Sequence, residues 1–160
     1  MDIMNCTYTI RRAEISDIYS IMRIIRTAFS KYKEMTGAKT VDALTETYED
    51  VKSDIENKLV FVAESDGSVV GTVRVELLDN GEALLTRFAV DTEKQNSGIG
   101  KAMINVLDGE MKKNNIKKLY LYTSSKLAPI IRFYYGRGFY IESVTETRGY
   151  LRAKLIKDYE

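Results

Sequence analysis

The sequence predicts a mixed α/β fold with the element order βααβββαβαββ, and three observations lead to this prediction. Hydrophobic residues recur at helical spacing in four segments and alternate or run together in seven others. Three of these predicted strands follow one another through glycine-containing turns, which is typical of an antiparallel meander. A loop with two glycines then joins the last strand of the meander to a helix.

The first part of the chain predicts one strand and two helices. Residues 7–11 alternate as a short strand, and Ser16 fits the N-cap position of the first helix. Residues at spacings of three and four mark the core-facing side of that helix: Ile18, Ile21, Met22, Ile25 and Phe29. A weaker stripe predicts the second helix and consists of Tyr48, Val51 and Ile55. The aromatic residues Phe29, Tyr32 and Tyr48 lie in these two helical segments and in the stretch between them, and helix packing is one explanation for them.

The rest of the chain continues with strands and two further helices. The meander strands are predicted at 59–64, 68–78 and 82–90, with turns at 66–67 and 79–81. The central helix carries its apolar stripe at Ile99, Met103, Val106, Leu107 and Met111. A strand at 119–123 follows, and Pro129 stands where the first turn of a helix tolerates it. Two closing strands, 139–144 and 150–156, flank a turn at Arg148-Gly149.

The composition indicates one globular domain, expected to span residues 1–160. At 160 residues and 44% hydrophobic content, the chain can bury a sizeable core. Lysine and arginine total 24 against 23 for aspartate and glutamate, so nucleic acid is not expected as a partner. The chain contains no histidine and one cysteine, Cys6, which excludes a Cys/His zinc site and an imidazole base; no metal is expected. We interpret Cys6 as a small apolar filler.

The chain also lacks the signals of membrane insertion and export. No apolar run approaches the ~20 residues of a membrane span, and residues 1–5 lack the basic and apolar regions of a signal peptide. We therefore expect a cytoplasmic protein without a membrane partner. The sequence leaves open whether two copies associate as a homodimer.

The loop before the central helix has the chemistry of an anion-binding site. Its pattern is Gln95-x-x-Gly98-x-Gly100. Two glycines remove Cβ atoms where a ligand would approach, and the free N–H groups and dipole of a helix start favour negative charge. A phosphate or pyrophosphate would fit this loop.

Two familiar phosphate-binding motifs fail on spacing. A P-loop requires glycine where Gln95 stands and serine or threonine where Ala102 stands. A Rossmann fingerprint starting at Gly98 requires a small residue where Met103 stands, and a tighter turn after the strand. Neither motif accounts for the loop.

The loop instead resembles the pyrophosphate loop of the GNAT superfamily of acyl-CoA-dependent N-acetyltransferases. The segment from Arg132 to Phe139 resembles that family's aromatic helix followed by Gly-Phe, with Tyr134 at the position of its tyrosine. Residues 59–144 contain these landmarks in the family's order. The chain departs from the pattern at Leu127 and Ile130, where Asn and Ala are common, and at Ser97, where a basic residue is common. The resemblance implies the GNAT fold, with a central mixed, mostly antiparallel sheet that splits between its fourth and fifth strands.

The resemblance also implies a site for acetyl-CoA. The loop amides would bind the coenzyme pyrophosphate, and the end of the fourth strand would bond the pantetheine through its backbone. The coenzyme-binding residues implied in this way are Phe88, Ala89, Val90, Gln95, Asn96, Ser97, Gly98, Ile99, Gly100, Lys101, Phe133 and Tyr134.

Acetyl transfer to an amine requires a neutral nucleophile, a donor for the oxyanion and an acid for the departing thiolate. The resemblance makes Tyr134 the acid, since a phenol has an ordinary pKa near ~10. A main-chain N–H near Val90 would face the thioester oxygen. Histone-modifying relatives carry a glutamate where this chain has Leu84, so Glu82 or Glu76, acting through water, are the candidate bases. Deprotonation without any side-chain base is the other reading.

The predicted function is that of an acetyl-CoA-dependent N-acetyltransferase. Direct attack in a ternary complex would move an acetyl group to a primary amine of a small molecule or peptide. The acceptor would lie between the first two helices and the meander. Segments that shape the acceptor site in relatives contain Phe29, Tyr32 and Tyr48 here, although helix packing explains these residues equally well. The alternative is a non-catalytic acyl-CoA-binding or protein-interaction module of the same fold, which the absence of the strand glutamate leaves open.

Overall fold

Seven strands and four helices follow in the predicted order βααβββαβαββ within residues 8–95 and 97–159, the part of the chain that the computed structural model describes. The predictions for Cys6 and Asn96 therefore lie outside the described residues. The elements are β1 (Tyr8–Arg12), α1 (Ile18–Thr36), α2 (Tyr48–Asn57), β2 (Leu59–Ser65), β3 (Ser68–Leu77), β4 (Glu82–Val90), α3 (Ile99–Lys113), β5 (Lys118–Ser124), α4 (Ala128–Tyr135), β6 (Tyr140–Thr147) and β7 (Tyr150–Asp158).

The strands form one mixed sheet in the order β1-β2-β3-β4-β5-β7-β6. Neighbouring strands are antiparallel except β4 and β5, which run parallel. The parallel pairing covers only the start of each strand and ends at Leu84 opposite Tyr120. The sheet therefore opens between its fourth and fifth strands, as the resemblance implied, and leaves the rest of that edge of β4 without a strand partner.

Helices cover the sheet unevenly on its two faces. Alternate residues of β4 and β5, such as Ala83 and Leu119, pack with the apolar stripe of α3 in the larger hydrophobic cluster. On the opposite face, Val60 and Val62 of β2 pack with the isoleucines of α1 in a second cluster. All five stripe residues predicted for α3 belong to or pack against the larger cluster, so its predicted core-facing side is confirmed.

The predicted N-cap of α1 at Ser16 is wrong. Ser16 lies inside a 3-10 turn, Ile15–Asp17, and α1 begins after it at Ile18. The Asp17 carboxylate accepts a hydrogen bond of 2.7 Å from the Glu14 amide and thereby holds this turn. Asp17, and not Ser16, is therefore the residue at the N-cap of α1. Its carboxylate has a cationic partner as well as the Glu14 amide.

That partner is Arg11 of β1. Its Nη1 and Nη2 donate to the two Asp17 carboxylate oxygens at 2.8 and 3.0 Å, and its Nε donates to Glu64 at 2.9 Å. The Asp17 side chain is 8% exposed. The hydrogen bonds from Arg11, with a smaller contribution from the Glu14 amide, hold the pKa of Asp17 below its ordinary value. The fork joins the first strand to the start of α1.

We expect Asp17→Asn to lower the free energy of unfolding at pH 7 by about 2–3 kcal/mol, because it removes the more buried of the two carboxylates that pair with Arg11. Since folding depresses the pKa of Asp17, its contribution is complete above the unfolded pKa of ~3.9 and is lost as the pH falls through the folded pKa. The difference between wild type and variant should therefore shrink between pH 5 and pH 2 in denaturant titrations.

The matched control is Asp66→Asn in the β2–β3 hairpin. Asp66 is exposed at a φ of 52°, a conformation that asparagine tolerates. This variant should unfold like wild type at every pH. A loss of the same size in both variants would contradict the assignment to the Arg11 fork.

Candidate active site

The loop after β4 is held by its own side chains. The Asp91 carboxylate accepts from the Glu93 amide at 3.1 Å, which starts a 3-10 turn. Gln95 Nε2 donates to the Val90 carbonyl at 3.3 Å, and Ser97 Oγ donates to the Lys94 carbonyl. In this structure the side chains of Gln95 and Ser97 therefore shape the loop, while its backbone is left to face a ligand.

The start of α3 presents unpaired amides. Gly98 is the N-cap with a φ of 87°, and its carbonyl accepts from the Ala102 amide at 3.0 Å. No described residue accepts a hydrogen bond from the amides of Ile99, Gly100 or Lys101. A Cβ built on Gly98 would meet nothing within 4 Å, so glycine is needed there for its left-handed backbone and the space beside it is open. This arrangement can hold an anion at a helix N-terminus.

The second glycine of the motif has a different cause from the one that the sequence suggested. A Cβ on Gly100 would lie 3.4 Å from the Cζ atoms of both Phe88 and Phe133. These rings stack with their centroids 5.8 Å apart. Gly100 therefore admits two aromatic rings to the helix start, which brings β4, α3 and α4 together at the candidate site.

The end of β4 contains a bulge. Thr72 pairs with Ala89, but Arg74 pairs with Thr86, so Arg87 and Phe88 together oppose the single residue Val73. Arg87 has a φ of 55°, in the left-handed region. On the other side no described strand pairs with β4 beyond Leu84. The backbone of residues 88–90 thus borders the gap in the sheet, where an extended ligand could take the place of a strand.

Tyr134 lies at this gap and is 6% exposed. Its ring centroid lies 6.3 Å from that of Phe88, 5.3 Å from that of Phe133 and 5.4 Å from that of Phe139. Burial raises the pKa of Tyr134 well above its ordinary value, and the nearby Tyr32 hydroxyl adds to the rise. Its hydroxyl donates to no described residue. The raised pKa keeps the phenol neutral, so its proton is available to a neighbouring group, but it also makes Tyr134 a weaker acid than an ordinary tyrosine.

Tyr32 of α1 joins three elements next to this site. Its hydroxyl accepts a hydrogen bond of 2.9 Å from the Ser124 amide at the end of β5 and donates to the Tyr150 hydroxyl of β7 at 3.1 Å. The ring also contacts Phe29 at a centroid distance of 5.9 Å. Tyr32 therefore has the packing role that was one of its two predicted explanations. Its hydroxyl also connects α1 to β5 and β7, on the β5 side of the gap.

The two candidate bases lie at different distances from the bulge. Glu76 is directly opposite Leu84 in the β3–β4 register, and its carboxylate is 3.7 Å from the Lys58 ammonium. Glu82 is exposed at the start of β4, six residues before Phe88, which is about 20 Å at ~3.3 Å per residue. By the same rise, Glu76 opposite Leu84 is about 13 Å from Phe88, so Glu76 is the nearer of the two and either carboxylate could act only through water.

A polar cleft lies between α2, the segment before it and the β4 bulge. No described residue of α1 lines it, so it covers only part of the region between the first two helices and the meander where the acceptor is predicted. Its volume is about 340 Å³, and its lining consists of Asp42, Thr45, Glu46, Asp50, Ser53, Asp54 and Arg87. Beneath it, the fully buried Arg74 binds Glu46 and Asp54. Sequence reasoning missed Glu46, Arg74 and Arg87, since polar residues in loops and alternating strands ordinarily face solvent.

The described residues contain neither a candidate metal site nor a candidate membrane-spanning helix. No group of three His, Cys, Asp or Glu side chains there could hold a metal ion. None of the helices described combines the length and apolar character needed to cross a membrane.

A protein-family model matches the sequence of the chain, and solved structures match its fold. The family model of the Acetyltransferase (GNAT) family matches residues 18–139. No curated protein matches the sequence. The PaiA N-acetyltransferase of Thermoplasma acidophilum, in complex with coenzyme A, has a TM-score of 0.82 at 21% identity, and the match covers 96% of this chain and 99% of that one.

Two other solved structures show the same fold. The ribosomal-protein-S18-alanine N-acetyltransferase of Escherichia coli has a TM-score of 0.75 at 21% identity, covering 95% of this chain and 94% of that one. Ard1 of Thermoplasma volcanium has a TM-score of 0.76 at 23% identity, covering 94% and 97%. At these identities the structures establish the fold, while the family match spans more than half of the sequence. The chain therefore belongs to the GNAT family of acetyltransferases.

Proposed function

We propose that the chain is an acetyl-CoA-dependent N-acetyltransferase acting on a primary amine of a small molecule or peptide. The observation that carries the proposal is the group of unpaired amides at the start of α3. They come after the loop of residues 91–98, which leaves a strand whose edge toward β5 pairs with no described strand beyond Leu84. The PaiA N-acetyltransferase of the same fold was crystallised with coenzyme A, which supports acetyl-CoA as co-substrate here. One acetyltransferase domain over residues 1–160 is part of the same proposal.

In this proposal the coenzyme follows the gap in the sheet. The amides of residues 96–101 hold the pyrophosphate, and Gln95 and Ser97 keep the loop in shape through their bonds to backbone carbonyls. The pantetheine runs beside the backbone of Phe88, Ala89 and Val90 in place of a strand. The stacked rings of Phe88 and Phe133 lie between the proposed pyrophosphate site and the proposed pantetheine site.

The chemistry proceeds by direct attack. The amine nitrogen forms a bond to the thioester carbon, and the oxyanion that develops faces a main-chain N–H near Val90. The C–S bond then breaks, and the thiolate takes the proton of the Tyr134 hydroxyl. The nitrogen loses its proton to Glu76, Glu82 or water, and Tyr134 is reprotonated from solvent. Acetyl-CoA and the amine thus give the acetamide and free coenzyme A.

The acceptor in this proposal enters through the polar cleft beside α2. The names of the Escherichia coli and Thermoplasma acidophilum enzymes describe N-acetylation, of a ribosomal protein's alanine in the first case. The alternative is a module that binds acyl-CoA without turnover. Release of free thiol from acetyl-CoA over a panel of amines and peptides separates the two, because only an enzyme couples thiol release to acceptor acetylation.

The coenzyme site can be tested at Gly98. We expect Gly98→Ala to weaken coenzyme A binding at least tenfold in calorimetry, because the new Cβ fills the open space beside the helix amides and the left-handed backbone becomes strained. The control is Gly67→Ala in the β2–β3 hairpin, which also has open surroundings and a φ of 78°. Both variants should lose roughly 1–2 kcal/mol of stability. Equal affinity for coenzyme A in the two variants would remove the pyrophosphate assignment.

The acid can be tested at Tyr134. Tyr134→Phe keeps the ring among its aromatic neighbours and removes the proton donor, so turnover should fall by about 10²-fold while the melting temperature stays close to that of wild type. Tyr135→Phe changes the exposed neighbour and should leave both quantities unchanged. Wild-type turnover in Tyr134→Phe would mean that the thiolate takes its proton from water.

The base can be tested by the pH dependence of the rate. If Glu76 relays the amine proton, Glu76→Gln lowers the rate most near neutral pH, and the loss shrinks as the pH approaches the pKa of the acceptor amine. Because of its distance from the bulge, Glu82→Gln should retain the wild-type profile. Unchanged pH–rate profiles in both variants would exclude both carboxylates and leave an amine that arrives neutral from solvent.

A further inference from the structure

Six charged side chains form a continuous chain of ion pairs that starts at the β4 bulge. Arg87 Nε contacts Glu46 Oε1 at 3.0 Å, and Glu46 also binds Arg74 through both carboxylate oxygens, with Nη2 to Oε2 at 2.9 Å. Arg74 Nη1 donates to Asp54 Oδ2 at 2.9 Å. The Lys58 ammonium lies 3.2 Å from Asp54 Oδ1, and the chain ends at Glu76, whose carboxylate is 3.7 Å from the same ammonium. Three cations and three anions balance each other.

Stability is a weak explanation for the burial of Arg74 and Glu46, the two most buried members of this chain. The Arg74 side chain is 0% exposed, and that of Glu46 is 10% exposed. Arg74 Nε is buried and finds no acceptor among the described residues, which costs roughly 1–3 kcal/mol. Well-packed apolar residues are often at least as stable as a buried ion pair, because the desolvation of the charges is avoided. A role in fixing a geometry accounts better for these residues.

The geometry in question is that of the bulge. A non-glycine residue in the left-handed region costs roughly 1–2 kcal/mol, and Arg87 has neither the short polar side chain nor the missing Cβ that ease this conformation. The side chain of Arg87 is 23% exposed and binds Glu46 through Nε. The ion pair therefore offsets the backbone strain and holds the bulge from the cleft side.

Glu46 belongs to a different part of the molecule from the bulge that it contacts. It lies between the 3-10 turn Asp42–Leu44 and the start of α2, on the side where the acceptor would enter. The residue that follows Arg87 is Phe88, the first of the proposed pantetheine contacts. The contact thus links the proposed acceptor side to the proposed thioester side.

We infer that Glu46 is a positioning residue that acts through Arg87 to hold the β4 bulge in the geometry that acetyl transfer requires. The inference rests on the proposed function. Without the Glu46 contact, the amides after the bulge would no longer be held where the oxyanion develops. Such a shift should lower kcat and leave the KM for acetyl-CoA nearly unchanged, because the loop before α3 is untouched.

The test compares Glu46→Gln with Asp17→Asn. Both replace a carboxylate in a two-bonded arginine fork by an amide, at 10% and 8% side-chain exposure. Both should lose stability, but only Glu46→Gln should lower kcat, by about tenfold or more, with less than about a twofold change in the KM for acetyl-CoA. Arg87→Met should lower kcat to a similar extent, the double variant should be no worse than the single ones, and Arg87→Lys should recover part of the loss.

Four outcomes would overturn the inference. An unchanged kcat and unchanged KM values in Glu46→Gln, or an equal loss of kcat in Asp17→Asn, would leave Glu46 with a purely structural role. A raised KM for the acceptor amine at unchanged kcat would make Glu46 a contact of the acceptor instead. A normal kcat in Arg87→Met would remove Arg87 as the link.

Hydrogen exchange tests the same inference without turnover. Exchange at the amides of residues 88–90 should be faster in Glu46→Gln than in wild type, and unchanged in Asp17→Asn. If wild type acetylates no amine, the proposed function fails, and the exchange rates still decide whether Glu46 holds the bulge. Unaltered exchange in Glu46→Gln would contradict the inference.

Discussion

The short parallel pairing between β4 and β5 is the constraint on which the candidate site depends. The two strands pair up to Leu84 opposite Tyr120. Beyond that point a gap separates them, while β4 stays paired with β3 and β5 stays paired with β7. Unpaired backbone at such an edge favours an extended partner that can form main-chain hydrogen bonds. The bulge at Arg87 and Phe88 adds to the separation, since an extra residue bends the strand and increases its local twist. The bulge in β4 therefore contributes to the gap between β4 and β5.

Aromatic packing joins the three elements around that gap. Phe88 of β4 stacks on Phe133 of α4, and both rings fit against the helix start of α3 because Gly100 has no side chain. Tyr134 packs between Phe133 and Phe139, where burial keeps its phenol protonated. The same contacts that order the proposed coenzyme side of the site thus raise the pKa of the candidate acid. A change at any of these rings would affect binding and chemistry together.

Ion pairs connect elements on the face of the sheet that α2 covers. Arg74 is fully buried beneath α2 and the cleft, with Glu46 and Asp54 as its partners. Glu46 also reaches Arg87 at the bulge. The bulge is therefore held by the packing of Phe88 on the side of α3 and α4, and by an ion pair on the cleft side. This arrangement gives the segment before α2 a direct physical connection to the edge of β4.

Local patterns in the sequence determined the element order, the helix stripes and the Gln95-x-x-Gly98-x-Gly100 loop, because periodicity and backbone preference depend on neighbouring residues. The tertiary structure alone decided the β3–β4 register that sets Glu76 opposite Leu84, and the contact of Gly100 with two aromatic rings. It also decided that Arg74, a polar residue in an alternating strand, is buried rather than exposed. Register, bulges and ion pairs join residues far apart in the chain, and the energies that select them come from burial and charge in three dimensions, which no local pattern encodes.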